Sequence, residues 1–95
     1  MSKVTYKIHV TGHVQGVGYR DFVRCNAREL DVSGWVRNEA DRSVSALLQA
    51  DEEAVLEQLV GRLRQGPPGS RVDQLLVEVM PDPDAYTGFR VVHSS

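Results

Sequence analysis

Between residues 10 and 19 the hydrophobic period of this chain changes. Before that point Val4, Tyr6, Ile8 and Val10 alternate with Thr5, Lys7, His9 and Thr11, a spacing that puts one apolar face on a strand. After it, Tyr19, Val23, Ala27 and Leu30 recur at helical spacing, while Arg24, Arg28 and Glu29 fall on other faces. That spacing predicts an amphipathic helix over about 20–30. The segment GHVQGVGYR, residues 12–20, joins the two. Neither element can bury its apolar side alone, so the chain must fold into layers.

The rest of the pattern supplies those layers. Asp31 falls at the helix end, where a left-handed residue is common and Asp tolerates that conformation better than most. GWVRNEADRSVSALLQ reads as two short strands joined by a turn at Asp41–Arg42, with Trp35, Val36, Val44, Ala46 and Leu48 in the strands. Asp51 is the expected N-cap of a second helix over 52–65, and Glu52 and Glu53 suit its positive end. Val55, Leu59 and Leu63 form one stripe of that helix, with Leu56 and Val60 beside it.

GPPG at 66–69 ends the helix. A strand is predicted over 71–79, with Leu75, Val77 and Val79 on one face; PDPDAYTG is a loop, and FRVV at 89–92 a short last strand. The order β-α-β-β-α-β predicts a ferredoxin-like α+β sandwich, two helices packed on one face of a four- to five-stranded antiparallel sheet. Ninety-five residues suffice for one domain with one modest core, expected to span 1–95.

The joining segment has its own chemistry. Gly12, Gly16 and Gly18 permit positive φ and close approach of a ligand to the backbone. The first N–H groups of the following helix lack intrahelical partners, and its dipole adds positive charge there. Together these make a cradle for an anion such as phosphate. Arg20 adds a planar, permanently charged fork that matches two phosphate oxygens. Glycines between a strand and a helix serve equally well as plain turn residues, so the segment alone leaves both readings open. Its spacing matches neither G-x-x-x-x-G-K-[ST] nor G-x-G-x-x-G, which argues against a nucleotide or dinucleotide site.

Charge and composition narrow the function classes. Eleven Lys and Arg against 13 Asp and Glu give a net charge of −2, unlike the basic excess of a general nucleic-acid binder. The single Cys25 has no intramolecular partner, and His9, His13 and His93 show no metal-ligand spacing. The N-terminus alternates where a signal peptide would be apolar, and no apolar run spans a membrane. The expectation is a cytoplasmic monomer without metal, cofactor, nucleic-acid or membrane partner. Cys25, His13 and Trp35 read as an ordinary helix residue, an exposed loop residue and a packing residue.

A second motif then bears on the first. GHVQGVGYR, with Gly12, Val14, Gln15, Gly16, Val17, Tyr19 and Arg20, is followed by GWVRN, with Gly34, Trp35, Val36 and Asn38. The pair resembles the acylphosphatase family's G-x-V-Q-G-V-x-[FY]-R and G-[FYW]-V-x-N over nearly the whole chain, at a length that fits a free-standing enzyme. The resemblance implies a metal-independent hydrolase that splits acyl phosphates into a carboxylate and inorganic phosphate. It implies that the backbone amides of Gln15, Gly16, Val17, Gly18, Tyr19 and Arg20, with the Arg20 guanidinium, bind the phosphoryl group. It assigns Asn38 to the attacking water. The Gln15 side chain has the further option of bracing the loop.

Two other classes compete. One is an anion-binding domain without turnover, disfavoured by the presence of both Arg20 and Asn38. The other is an RRM-like RNA binder, which shares the strand order but would need aromatics where this chain reads SVSALLQ. The chain departs from the family pattern at Asp31, Arg42 and Ala50, where glycine is common; these touch stability more than chemistry. The turn at Asp41–Arg42 is expected to be strained or lengthened.

Overall fold

A computed structural model describes residues 3–81 and 84–93. The elements are β1 (Val4–His13), α1 (Tyr19–Glu29), β2 (Ser33–Asn38), β3 (Val44–Ala50), α2 (Glu53–Gln65), β4 (Arg71–Val79) and β5 (Phe89–Val91). Among the described residues the strands form one five-stranded sheet in the order β4-β1-β3-β2-β5. Helix α1 packs over β2 and β5, α2 over β3 and β4, and the helices touch each other.

The two hydrophobic periods meet in the core. Tyr6, Ile8 and Val10 of β1, Ala46 and Leu48 of β3, Val23 and Ala27 of α1, and Leu56, Leu59 and Leu63 of α2 are all buried together. Each fully buried Val, Leu or Ile side chain stabilises the fold by about 1.5–3 kcal/mol. Leu30 and Val55, expected in the helix stripes, are partly buried at the rim of this cluster.

The sheet is mixed, which corrects the all-antiparallel expectation: β5 runs parallel to β2, pairing Gly34 with Phe89 and Val36 with Val91. Strands β4 and β5 lie at opposite edges, so the chain between them crosses the sheet. Four inter-strand steps are about 19 Å, and residues 80–88 can span roughly 30 Å when extended. The crossing also covers the face remote from the helices. There Gln49, 2% exposed, donates through Nε2 to Thr5 Oγ1 at 3.1 Å and the Asp84 carbonyl at 2.7 Å. Its Oε1 accepts from the Tyr86 N–H at 2.9 Å. Central strand β3 is thereby buried on both faces.

Two further expectations are corrected. The N-cap of α2 is Glu52, in extended conformation and without a side-chain capping bond. Asp51 pairs instead with Lys3 at 2.9 Å, because the register that sets Val4 opposite Ala50 brings the next pair of side chains together. In β4 only Leu75 of the predicted apolar face is buried. Val77 and Val79 are 38% and 67% exposed although they pair with the buried Ile8 and Tyr6, since they stand on the outer edge of the sheet.

Asp31 and Arg42 adopt the left-handed conformation, at φ 57° and 74°. The β2–β3 turn is lengthened, as expected. The Glu39 N–H donates to the Ser43 carbonyl at 2.8 Å, which leaves residues 40–42 as the loop. Asp41 reinforces it by accepting from the Ser43 N–H at 3.0 Å.

Candidate active site

The site begins where β1 ends. Gly16 and Gly18 have φ of 75° and 78°, and the space around each missing Cβ is open. The backbone conformation, not crowding, is what favours glycine there. Gly18 is the N-cap of α1 and has no side chain to cap the helix. Most helices satisfy part of this terminus with Ser, Thr, Asp or Asn. Here, among the described residues, the N–H groups of Gln15 through Asp21 donate to no protein acceptor; the first bond of α1 runs from the Phe22 N–H to the Gly18 carbonyl at 3.0 Å. The result is a continuous run of unpaired donors at a positive helix end, an arrangement that suits an anion.

Asn38 reaches the same place through the sheet. Val44 of β3 pairs with Val10 on one side and Asn38 on the other. Asn38 therefore lies level with Val10, the last β1 residue paired with β3, two inter-strand steps away, or about 10 Å. Gln15 closes the gap. Its Nε2 donates to the Glu39 and Ser43 carbonyls, each at 2.9 Å, and ties the loop to the hairpin that carries Asn38. The Asn38 Oδ1 atom is buried without a hydrogen-bond partner in the protein, which is costly unless something else donates to it.

These groups border a cavity of about 330 Å³ lined by Val14, Gly16, Gly18, Tyr19, Arg20, Asp21, Arg24, Asn38, Val91 and His93. Arg20 makes no ion pair with any described residue. Arg24 pairs with Asp21 at i,i+3 on α1. Gln15 and Val17 do not line the cavity: the first braces the hairpin, and the second packs at the edge of the core. The Tyr19 side chain is an anchor, donating through its hydroxyl to the Leu63 carbonyl at 2.7 Å; burial raises its pKa and keeps that proton in place.

Asp21, Arg24, Val91 and His93 were not anticipated in this cavity. Arg24 had one usable signal, its place one turn after Arg20. Val91 and His93 had none, because the path of β5 is a tertiary matter. Trp35 lies outside the cavity, with the Arg37 guanidinium carbon 5.0 Å from its ring centroid. Cys25 and His13 are exposed. Among the described residues no three or more His, Cys, Asp or Glu side chains gather into a candidate metal cluster.

A family model described as Acylphosphatase matches residues 6–91. The chain belongs to the acylphosphatase family. It is 48% identical over 82 residues to the acylphosphatase of Salinibacter ruber, covering 86% of this chain and 85% of the relative. It is 42% identical over 92 residues to that of Thermococcus kodakarensis, covering 97% and 99% of the two chains. The crystal structure of acylphosphatase from Bacillus subtilis superposes with a TM-score of 0.90 at 34% identity, covering 94% of this chain and 98% of that one. Both acylphosphatase motifs, at 12–20 and 34–38, therefore sit in one tied unit: the cradle on one side of the Gln15 tether, Asn38 on the other.

Proposed function

We propose that this chain hydrolyses acyl phosphates to a carboxylate and inorganic phosphate, through the cavity between the glycine loop and Asn38. One observation carries the reading. The unpaired N–H groups and the unpaired Arg20 guanidinium belong to residues (Gly16, Gly18, Tyr19, Arg20 and Asp21) that border the same cavity as Asn38, whose buried oxygen has no protein partner.

The loop amides and Arg20 hold the phosphoryl oxygens and offset the charge that spreads over them in the transition state. Asn38 Oδ1 accepts a hydrogen bond from water and holds it in line with the bond to be broken. The water oxygen bonds to phosphorus, and the acyl C–O–P bridge breaks on the phosphorus side. The carboxylate leaves with the electron pair, and the water proton ends on the phosphate. A carboxylate is a good leaving group, so no strong general acid is required. Arg20 stays protonated and cannot serve as a base. In this reading the enzyme is a cytoplasmic monomer that acts on a diffusible substrate and needs neither metal nor nucleic acid. Among the described residues no helix is long and apolar enough to cross a membrane.

A domain that bound anions without turnover would have no use for the buried Asn38 oxygen. The test is steady-state hydrolysis of benzoyl phosphate in EDTA by the wild type and by Arg20→Ala. We expect full wild-type activity in EDTA and a loss of at least about 10²–10³ in the variant. Wild-type-like turnover by Arg20→Ala, or loss of wild-type activity in EDTA, would overturn the assignment.

A further inference from the structure

The proposed hydrolysis rests on the loop, Arg20 and Asn38, and Arg24 has no part in it. Arg24 lines the same cavity, four residues and about 6 Å further along the helix axis than Arg20. Its Nη2 donates to Asp21, its one hydrogen-bond partner among the described residues. Its Nε is buried without a partner, and the side chain as a whole is 37% exposed. Asp21 turns its other carboxylate oxygen toward Cys25 Sγ at 3.9 Å. The guanidinium is therefore held along one edge, and the donors of its remaining edge have no protein acceptor.

We propose that Arg24 is the binding site for a negative group at the far end of the acyl chain. The enzyme then prefers acyl phosphates of dicarboxylic acids over uncharged ones. The inference rests on the reading of the cavity as an acyl phosphate site. The phosphoryl group is anchored at the loop, and the acyl chain must run away from it. Side chains one turn apart on a helix are about 5–6 Å apart at Cβ, which suits a four-carbon diacid with one end on Arg20 and the other on Arg24. Val14 and Val91 supply apolar wall for the intervening methylenes. Asp21 is 62% exposed, so solvent screens its charge; its part is to aim the guanidinium. His93, also on the wall, adds a ring that can donate to the same anion.

The test compares succinyl phosphate with butyryl phosphate, which has the same chain length and no terminal carboxylate. The wild type is expected to favour succinyl phosphate in kcat/KM by about tenfold or more, the effect of one charge-assisted hydrogen bond. In Arg24→Gln that ratio falls to near one, and the change lies in KM, because the carboxylate is held equally in ground and transition states. The double variant Asp21→Asn/Arg24→Gln removes the pair without stranding a carboxylate beside Arg20 and must show the same collapse. Should these fail to fold, Arg24→Lys, with a shorter and unforked cation, must give an intermediate ratio. A wild-type ratio near one, or a ratio that the variants leave unchanged, overturns the subsite while leaving the proposed hydrolysis intact. Failure of the wild type to hydrolyse either compound overturns both.

Discussion

The Gln15 side chain donates to the Ser43 carbonyl at 2.9 Å, and that oxygen also accepts the Glu39 N–H that closes the β2–β3 turn. One carbonyl thus receives both the bond that shapes the hairpin and a bond that ties the glycine loop to it. The relative position of cradle and Asn38 depends on a side chain whose own N–H belongs to the cradle. Gln15→Ala should lose both donor bonds, while each carbonyl keeps one backbone donor, the Arg42 N–H for Glu39 and the Glu39 N–H for Ser43. We expect a stability loss of about 1–3 kcal/mol and, since small misplacements are costly, a kcat about ten- to a hundredfold lower. Urea unfolding and steady-state kinetics measure both; unchanged kcat would show that the tether does not position the site.

Asn38 should separate activity from stability in the opposite sense. Its Oδ1 is buried and unpartnered, a cost the fold bears without return until a donor arrives. Asn38→Ala removes that oxygen. Its kcat should fall by about 10²–10³, with KM little changed. Its unfolding free energy should hold or rise by up to about 1–2 kcal/mol. A variant that lost stability along with activity would mean that the asparagine is chiefly structural.

Asp31 and Arg42 hold left-handed backbone conformations without being glycine. A Cβ in that region costs about 1–2 kcal/mol, partly offset by the extra freedom glycine gains in the unfolded chain. Asp31→Gly and Arg42→Gly should therefore each stabilise the protein by about 0.5–1 kcal/mol, and together add nearly in full. Calorimetry would register the gain as a higher Tm. Neither residue lines the cavity, so kcat should stay as it is.

Alkaline stability should be governed by two tyrosines. Burial, helped by the Glu57 and Glu53 carboxylates, pushes the Tyr6 phenol from 10.0 up to about 12, and burial raises Tyr19 as well. Both values rise on folding, so the folded chain keeps protons that the unfolded chain gives up. Stability is complete below the unfolded tyrosine pKa of about 10. It declines above that, by up to about 1.4 kcal/mol per pH unit for each tyrosine, until the folded pKa values are passed. Denaturant midpoints taken across this range should fall, and Tyr6→Phe should make the decline shallower. A midpoint constant through pH 11 would contradict the assignment.

Much of this was legible along the chain, for a local reason. The strand over Val4–Val10 and the helix carrying Tyr19, Val23 and Ala27 follow from spacings of two and of three to four residues. Such patterns report which side of an element is apolar, whatever it packs against. Left-handed Asp31 and Arg42 are local as well, set by a helix end and a tight turn. The two motifs pointed to the loop, Arg20 and Asn38, residues that line one cavity, because residue type and spacing within a segment are local properties.

What lies between segments was not legible. The sequence alone determined which segments form strands and helices and where the glycine loop with Arg20 falls between the first two. The tertiary structure alone decided that β5 runs parallel to β2, that Val44 stands between Val10 and Asn38, that Gln15 spans the gap, and that Val91 and His93 enter the cavity. It also decided that Asp51 would meet Lys3 instead of capping α2, and that Val77 and Val79 would stay exposed on an edge. Each of these depends on strand register or on the path of a crossing chain. Those are set by which non-local pairing buries the most apolar surface with the fewest unpaired backbone groups, a comparison over the whole fold that no single segment contains.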